Sequence, residues 1–283
     1  MFDTLEAWWS YEFVRRAVIA TLVLSISVAP VGCFMVLRRL SLAGEALAHA
    51  IVPGIAIAFL ISGGLTVGAM LVGGVIAGLA VALSATMLAR LSIIREEAGL
   101  ASLYLIALAI GIFILSLNGS AVPLKSFLFG KILGLSDGTL ILIGATATIT
   151  LLSFAFMLRP LIVSTLDPGF FESQLRRPWI VQIWFMLLVV LNLIASFRAL
   201  GTLMAVGLMI LPATSARYWV SSLTGYVLVS MAIAMASCMI GIALSLTFTD
   251  IPTGPCIVIV AGGLFLFSLV LGPNGLRAST QQR

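Results

Sequence analysis

Long apolar runs, separated by short polar stretches, make up most of the chain. Each run holds about 20 residues, the length that an α-helix needs to cross the hydrocarbon core of a bilayer. The pattern predicts an all-α membrane protein, a polytopic bundle of about nine (eight to nine) transmembrane helices, forming a single domain over residues 1–283. The predicted spans are 14–37, 42–62, 65–89, 98–117, 138–158, 179–197, 200–216, 222–247 and 254–272.

The run at 200–216 differs from the others. It is short, and Pro212 lies near its end. A broken or re-entrant helix is tolerated at membrane depth only where protein or a cavity surrounds it. The pattern alone therefore leaves two interpretations open for this segment, a full crossing or a re-entrant helix.

The composition agrees with the pattern. Of the 283 residues, 61% are hydrophobic and 9% are charged, whereas about a quarter of the residues in soluble domains are charged. Apolar runs of about 20 residues, rather than ten, exclude an outer-membrane β-barrel. The length also leaves no room for a large soluble domain.

Positive charges indicate the orientation, because cytoplasmic loops collect Lys and Arg. With nine spans and the N-terminus outside, ten of the 15 Lys and Arg residues lie inside and five outside. Without a crossing at 200–216, Arg217, Arg277 and Arg283 would move outside, which would leave seven inside and eight outside. The net charge of +5 is therefore a topology signal for a cytoplasmic membrane protein, and no nucleic-acid partner is expected.

Small residues recur at spacings that allow helices to approach closely in lipid. Gly74 and Gly78 form a GxxxG step, and a second set forms a stripe at every fourth position. We expect both sets to serve helix packing. The members of the stripe are Ala46, Ala50 and Gly54.

Glu45 is the acidic residue that falls inside a predicted span, and His49, the single histidine of the chain, follows four residues later. Residues at this spacing share one face of a helix, about 6 Å apart. Ionisable residues within membrane helices mark a pathway or site by default. Four interpretations stay open: an ion pair of Glu45 with Arg38 or Arg39, a His49 hydrogen-bonded to a neighbouring helix, a proton relay, and a site for Zn²⁺, Mn²⁺ or Fe²⁺. Two ligands are too few for a metal, so others would come from neighbouring helices, a partner chain or water.

The chain carries no phosphate-binding loop. Its two lysines, Lys125 and Lys131, lie outside any GxxxxGK[ST] pattern, the pattern that holds nucleotide phosphates. We therefore expect a transport subunit rather than an enzyme, with any ATP hydrolysis performed by a separate chain.

The longest inner loop, predicted at 159–178, contains a candidate docking element for such a subunit. Asp167 can cap a short helix whose first residue is Pro168, and two adjacent phenylalanines, both expected to be exposed, suit insertion into a groove of a partner. The alternative is an interfacial helix that lies on the lipid headgroups. The predicted coupling residues are Asp167, Phe170, Phe171, Glu172 and Gln174.

The segment 38–54, RRLSLAGEALAHAIVPG, closely resembles the stretch RRxSLxGDALSHAxxPG of the membrane permease subunits of zinc, manganese and iron ABC importers. Further similar stretches follow in the same order along nearly the whole chain. They are REEA at 95–98, LFGKIL at 128–133, GLMILPATSAR at 207–217 and DIPTGP at 250–255.

The resemblance implies a permease in the inner membrane of a bacterium that moves a divalent Zn, Mn or Fe ion, most often as a homodimer. It implies an extracytoplasmic solute-binding protein that delivers the metal, and cytoplasmic ATP-binding subunits that dock on the loop with Asp167. The ion is cargo, and no permanently bound cofactor is expected. The acidic residue and the histidine of the family correspond to Glu45 and His49, with Glu45 in place of Asp and Ala48 in place of Ser.

Asp250 lies at the outer end between the last two predicted spans. It is a candidate metal ligand on the outer side, or a partner for the binding protein. The alternative is a capping residue ahead of Pro252.

Two other functions stay open at this point. A proton-coupled secondary transporter would use Glu45 and His49 as a relay, and would depend on a proton gradient rather than on ATP. A permease for a larger chelate, such as a siderophore or cobalamin, would be expected to have a longer chain and no such pair.

Overall fold

The computed structural model describes residues 11–62, 67–93, 96–117, 134–174, 179–247 and 252–275. Within these ranges the chain folds into α-helices joined by short turns. They are α1 (Glu12–Leu37), α2 (Ala43–Ala50), α3 (Val52–Ser62), α4 (Val67–Leu91), α5 (Glu96–Leu117), α6 (Asp137–Leu166), α7 (Pro168–Gln174), α8 (Trp179–Leu200), α9 (Thr202–Ala216), α10 (Leu223–Thr247) and α11 (Thr253–Leu271).

The predicted all-α membrane architecture is confirmed. In the described ranges, eight helical stretches are long and apolar enough to span a membrane, and α2 and α3 together form one of them, Ala43–Ser62. Ile51 joins these two helices with helical backbone angles. Each of the eight coincides with one of the predicted spans, and 200–216 is the span left over.

That remaining span is α9, a helix of 15 residues with Pro212 inside it. At 1.5 Å per residue its length is about 22 Å, less than the roughly 30 Å of the hydrocarbon core. None of its side chains that the structure describes is exposed, and it packs against α1, α10 and α11. A short, proline-containing helix is tolerated in such surroundings, because protein rather than lipid covers its backbone.

The first of two compact units contains α1, the start of α6 to Leu152, the end of α8 from Ala195, and α9 to α11. Gly32 of α1 lies against the backbone of Met209 in α9, where a Cβ atom would overlap the carbonyl oxygen. Gly32 therefore allows these two helices to touch through their backbones.

The second unit contains α2 to α5, α6 from Ser153, α7, and α8 as far as Ile194. Here α5 packs against α2, α3 and α4. The other face of α5 carries large apolar side chains that are about half exposed, as expected for a surface that meets lipid or a second protein. The exposed side chains are Leu105, Ile106, Ile110, Ile112 and Phe113.

Helix α6 is longer than the predicted span 138–158. It continues to Leu166 with Pro160 inside it, so the first residues of the predicted inner segment 159–178 are helical. The pair Arg159 and Pro160 resembles a helix end in sequence, but apolar residues continue the helix beyond it. The hydroxyls of Ser164 and Thr165 both donate to the carbonyl of Leu161 and hold the last turn.

Candidate metal site and coupling segment

Helix α2 carries Glu45 and His49 on the face that its own chain leaves uncovered. Glu45 is exposed and His49 is half-buried. Leu42, one turn before Glu45, is 65% exposed. Mostly small residues fill the opposite faces, so the helix packs closely there and leaves Glu45 exposed and His49 partly exposed. The buried residues of α2 are Ala43, Gly44, Ala46, Leu47, Ala48 and Ala50.

The imidazole of His49 stacks on Tyr104 of α5. The two ring centroids lie 6.0 Å apart, and the ring planes differ by 27°. Sequence reasoning missed Tyr104, because nothing in the spacing connects it to His49. The available signal is weak, an aromatic residue with a polar end within an aliphatic helix.

The described residues offer two candidate metal ligands, Glu45 and His49. No group of three or more His, Cys, Asp or Glu side chains that could hold a metal ion occurs within the described ranges. Asp250, the third predicted ligand, lies outside the described residues. Imidazole nitrogen with carboxylate oxygen suits Mn²⁺, Fe²⁺ and Zn²⁺, and the exposure of Glu45 leaves room for ligands from outside the chain.

The guanidinium group of Arg38, one of the two open partners for Glu45, makes hydrogen bonds to the end of α6. Its Nε donates to Thr165 Oγ1 at 3.1 Å, and one Nη donates to Ser164 Oγ at 2.6 Å. The other Nη donates to Gln182 Oε1, and the group lies over the Phe185 ring with Cζ 4.7 Å from the centroid. One side chain thus joins the end of α6 to the start of α8.

The predicted coupling segment, residues 167–174, begins with the expected helix cap, which is confirmed. Asp167 Oδ1 accepts the backbone N–H of Phe170 at 2.9 Å, and α7 starts at Pro168. The expectation that both phenylalanines are exposed is wrong for Phe171, which is 4% exposed, whereas Phe170 is 54% exposed. On a helix, neighbouring positions point about 100° apart, so one ring packs inward. Glu172 and Gln174 also belong to α7.

The predicted packing residues lie at close helix contacts in the second unit. Gly54 of α3 meets the backbone of Gly73 in α4, where a Cβ atom would overlap the carbonyl oxygen. A Cβ atom added to Gly74 would lie 2.8 Å from Cγ2 of Ile51. A Cβ atom added to Gly78 would lie 3.0 Å from Cγ1 of Val190. Ala46 and Ala50 are buried in α2.

An ion-pair cluster lies at the predicted outer end of the first unit. Arg16 of α1 is 2.6 Å from Glu12 and 2.7 Å from Asp137, the first residue of α6. Glu12 and Arg16 also line a cavity of about 530 Å³ together with Phe13, Gly134 and Leu135. Two carboxylates therefore pair with one of the positive charges that the predicted topology assigns to the outer side.

Comparison with known proteins gives one family. The model of the ABC 3 transport family matches residues 10–272. The manganese import system permease protein ScaB of Streptococcus parasanguinis is 28% identical over 272 residues, which cover 96% of this chain and 95% of that protein. A probable iron transport system membrane protein of Haemophilus influenzae is 28% identical over 277 residues, 98% of this chain and 100% of that protein.

The fold is also that of a solved structure. The structure of PsaBC from Streptococcus pneumoniae in complex with Fab has a TM-score of 0.84 over 100% of both chains, at 24% identity. At this identity the likeness shows a shared fold.

Proposed function

Because the chain belongs to the ABC 3 transport family, we propose that it is the membrane-spanning permease subunit of an ATP-driven importer for a divalent transition-metal ion. It is a multi-pass protein of the bacterial cytoplasmic membrane. The observation that carries the proposal is the pair Glu45 and His49, which a membrane helix presents together on its uncovered face. Family membership favours this function over a proton-coupled secondary transporter.

Manganese is the ion to test first, and Fe²⁺ and Zn²⁺ follow. A single imidazole with carboxylate oxygens leans toward Mn²⁺ or Fe²⁺, although availability and geometry decide selectivity more than the ligand count does. The relatives named above as manganese and iron transport proteins support this order. The ion passes through as cargo, so the site binds it weakly enough to release it.

A second permease chain would complete the site. Glu45 lies on an uncovered face, and α5, which holds Tyr104, exposes an adjoining apolar surface. A homodimer would cover such apolar surface and bring additional ligands to the ion. On the outer side, a solute-binding protein would deliver the metal.

A separate cytoplasmic ATPase would supply the energy by docking on α7. The exposed ring of Phe170 and the cap at Asp167 support this assignment, because a rigid short helix with an outward aromatic residue suits a groove in a partner. ATP binding and hydrolysis would then shift the permease between outward-open and inward-open states.

The decisive experiment measures cellular metal. Cells that lack the protein are starved of metal and complemented with wild type, Glu45→Gln or His49→Ala, and their Mn, Fe and Zn contents are measured by elemental mass spectrometry. Wild type is expected to restore one metal, and each variant to lower its accumulation by about tenfold or more, since Glu45→Gln replaces a charged carboxylate with a weaker, neutral amide oxygen and His49→Ala removes the imidazole nitrogen. Leu42→Ala, on the same face, is the matched control and should transport as wild type does.

Co-purification with the ATPase subunit checks that both variants still assemble. Wild-type accumulation in both variants would contradict the site assignment. If wild type restored none of the three metals, the proposed substrate class would be wrong.

A further inference from the structure

Arg38 contacts the chain on both sides of the proposed coupling segment. Ser164 and Thr165 lie in the last turn of α6, directly before Asp167, whereas Gln182 and Phe185 lie in the first two turns of α8. All of these residues, together with α7, belong to the second compact unit. The guanidinium group therefore fixes the two ends between which α7 is held.

The groups around Arg38 suit a planar hydrogen-bond donor. Ser164 and Thr165 both donate their hydroxyl hydrogens to the carbonyl of Leu161, so their oxygen lone pairs are directed to Arg38. Gln182 offers an amide oxygen, and Phe185, which is fully buried, offers its ring face. Guanidinium is a rigid fork of five donors that also stacks on aromatic rings, whereas the ammonium group of Lys is a point charge on a flexible stem.

Arg38 also lies next to the helix that carries the candidate metal ligands. It directly follows α1, and α2 begins five residues later at Ala43. The turn between them contains Arg39, whose φ of 60° is uncommon for a residue other than glycine. Six residues thus link Arg38 to Glu45 in one sharply turned segment, too short to absorb a displacement of the clamp that Arg38 forms with Ser164, Thr165, Gln182 and Phe185.

We propose that Arg38 is the positioning residue that transmits movement of the coupling segment 167–174 to helix α2, and so couples ATP hydrolysis to the opening of the metal site. This inference rests on the proposed function. In this proposal Arg38 acts through the helices that it contacts. It holds the ends of α6 and α8 in register with the start of α2.

The test compares Arg38→Gln with Arg159→Gln, a matched change at an exposed arginine of α6. Each variant is co-purified with its ATPase subunit and reconstituted in vesicles, and manganese uptake and ATP hydrolysis are measured in the same sample. We expect Arg38→Gln to keep hydrolysing ATP while the ions imported per ATP fall by about fivefold or more, the size of a typical coupling between sites. Arg159→Gln should keep the wild-type ratio, and Arg38→Lys should remain defective because it restores the charge without the fork.

An unchanged ratio of uptake to hydrolysis in Arg38→Gln would overturn the proposal, as would full recovery with Arg38→Lys. If Arg38→Gln does not assemble, Gln182→Leu and Ser164→Ala each remove one contact of the clamp and are scored by the same ratio. A wild-type ratio in both would also overturn it. Failure of the wild-type complex to import manganese, iron or zinc would instead refute the proposed function.

Discussion

Among single residues, Tyr104 offers a direct test of how the imidazole of His49 is held. The rings are stacked with centroids 6.0 Å apart, and aromatic pairs of this kind contribute about 0.5–1.5 kcal/mol beyond burial. We expect Tyr104→Phe to transport as wild type does, because the ring remains. We expect Tyr104→Leu to lower the initial rate of manganese uptake several-fold, because the imidazole becomes free to change rotamer.

Uptake is measured in metal-starved cells over a range of manganese concentrations, with the amount of protein checked by immunoblot. Leu105→Ala, at the neighbouring exposed position, is the control. Equal rates for the Phe and Leu variants would contradict the role of stacking. If both variants took up manganese equally slowly, the phenol oxygen and not the ring would be the group that matters.

The candidate site divides into residues that sequence could predict and residues that it could not. Glu45 and His49 stand out because charge is costly inside an apolar run and because their spacing is local. Tyr104 and the partners of Arg38 are tens of residues or more away from the side chains that they contact. Such pairings depend on how helices pack, and in this chain small residues pack at many helix contacts, so their spacing does not specify which helices meet.

At the scale of elements, the capping of α7 determines whether the coupling segment is a helix. Helices this short are marginal in isolation, and α7 has seven residues. Asp167→Ala removes the oxygen that accepts the N–H of Phe170, a loss of about 1 kcal/mol. We expect weaker binding of the ATPase subunit and faster hydrogen exchange of the amides in α7.

Asp167→Asn is the matched control, since its amide oxygen can accept the same hydrogen bond, and it should behave as wild type does. Binding is measured by titrating the ATPase subunit onto the purified permease. If Asp167→Ala bound the subunit with wild-type affinity, α7 would not be the docking element.

The apolar runs predict the helix bounds well wherever lipid determines the length of a helix. The predicted bounds are wrong where contacts with other parts of the protein determine that length instead. Helix α6 passes its Arg159–Pro160 boundary because its last turn is held by Ser164, Thr165 and the clamp of Arg38. Both phenylalanines of α7 were predicted to be exposed. The rotation between neighbouring helical positions instead exposes Phe170 and buries Phe171.

For the whole molecule, α9 decides the topology. Hydropathy and length are ambiguous for a helix of 15 residues, but the distribution of Arg and Lys favours a crossing, and the burial of α9 among α1, α10 and α11 permits one. With a crossing, the turn after α9 lies in the cytoplasm and the two termini lie on opposite sides of the membrane.

Cysteine accessibility tests this topology with little background, because the three native cysteines are free and buried. Ser222→Cys lies in the exposed turn between α9 and α10. Ile93→Cys marks the predicted inner side, and Ser136→Cys marks the predicted outer side. We expect a membrane-impermeant maleimide to label Ser136→Cys in intact cells, and to label Ser222→Cys and Ile93→Cys after the membrane is permeabilised. Labelling of Ser222→Cys in intact cells would show that α9 enters and leaves on the same side. The permease would then have eight crossings, and its C-terminus would lie outside.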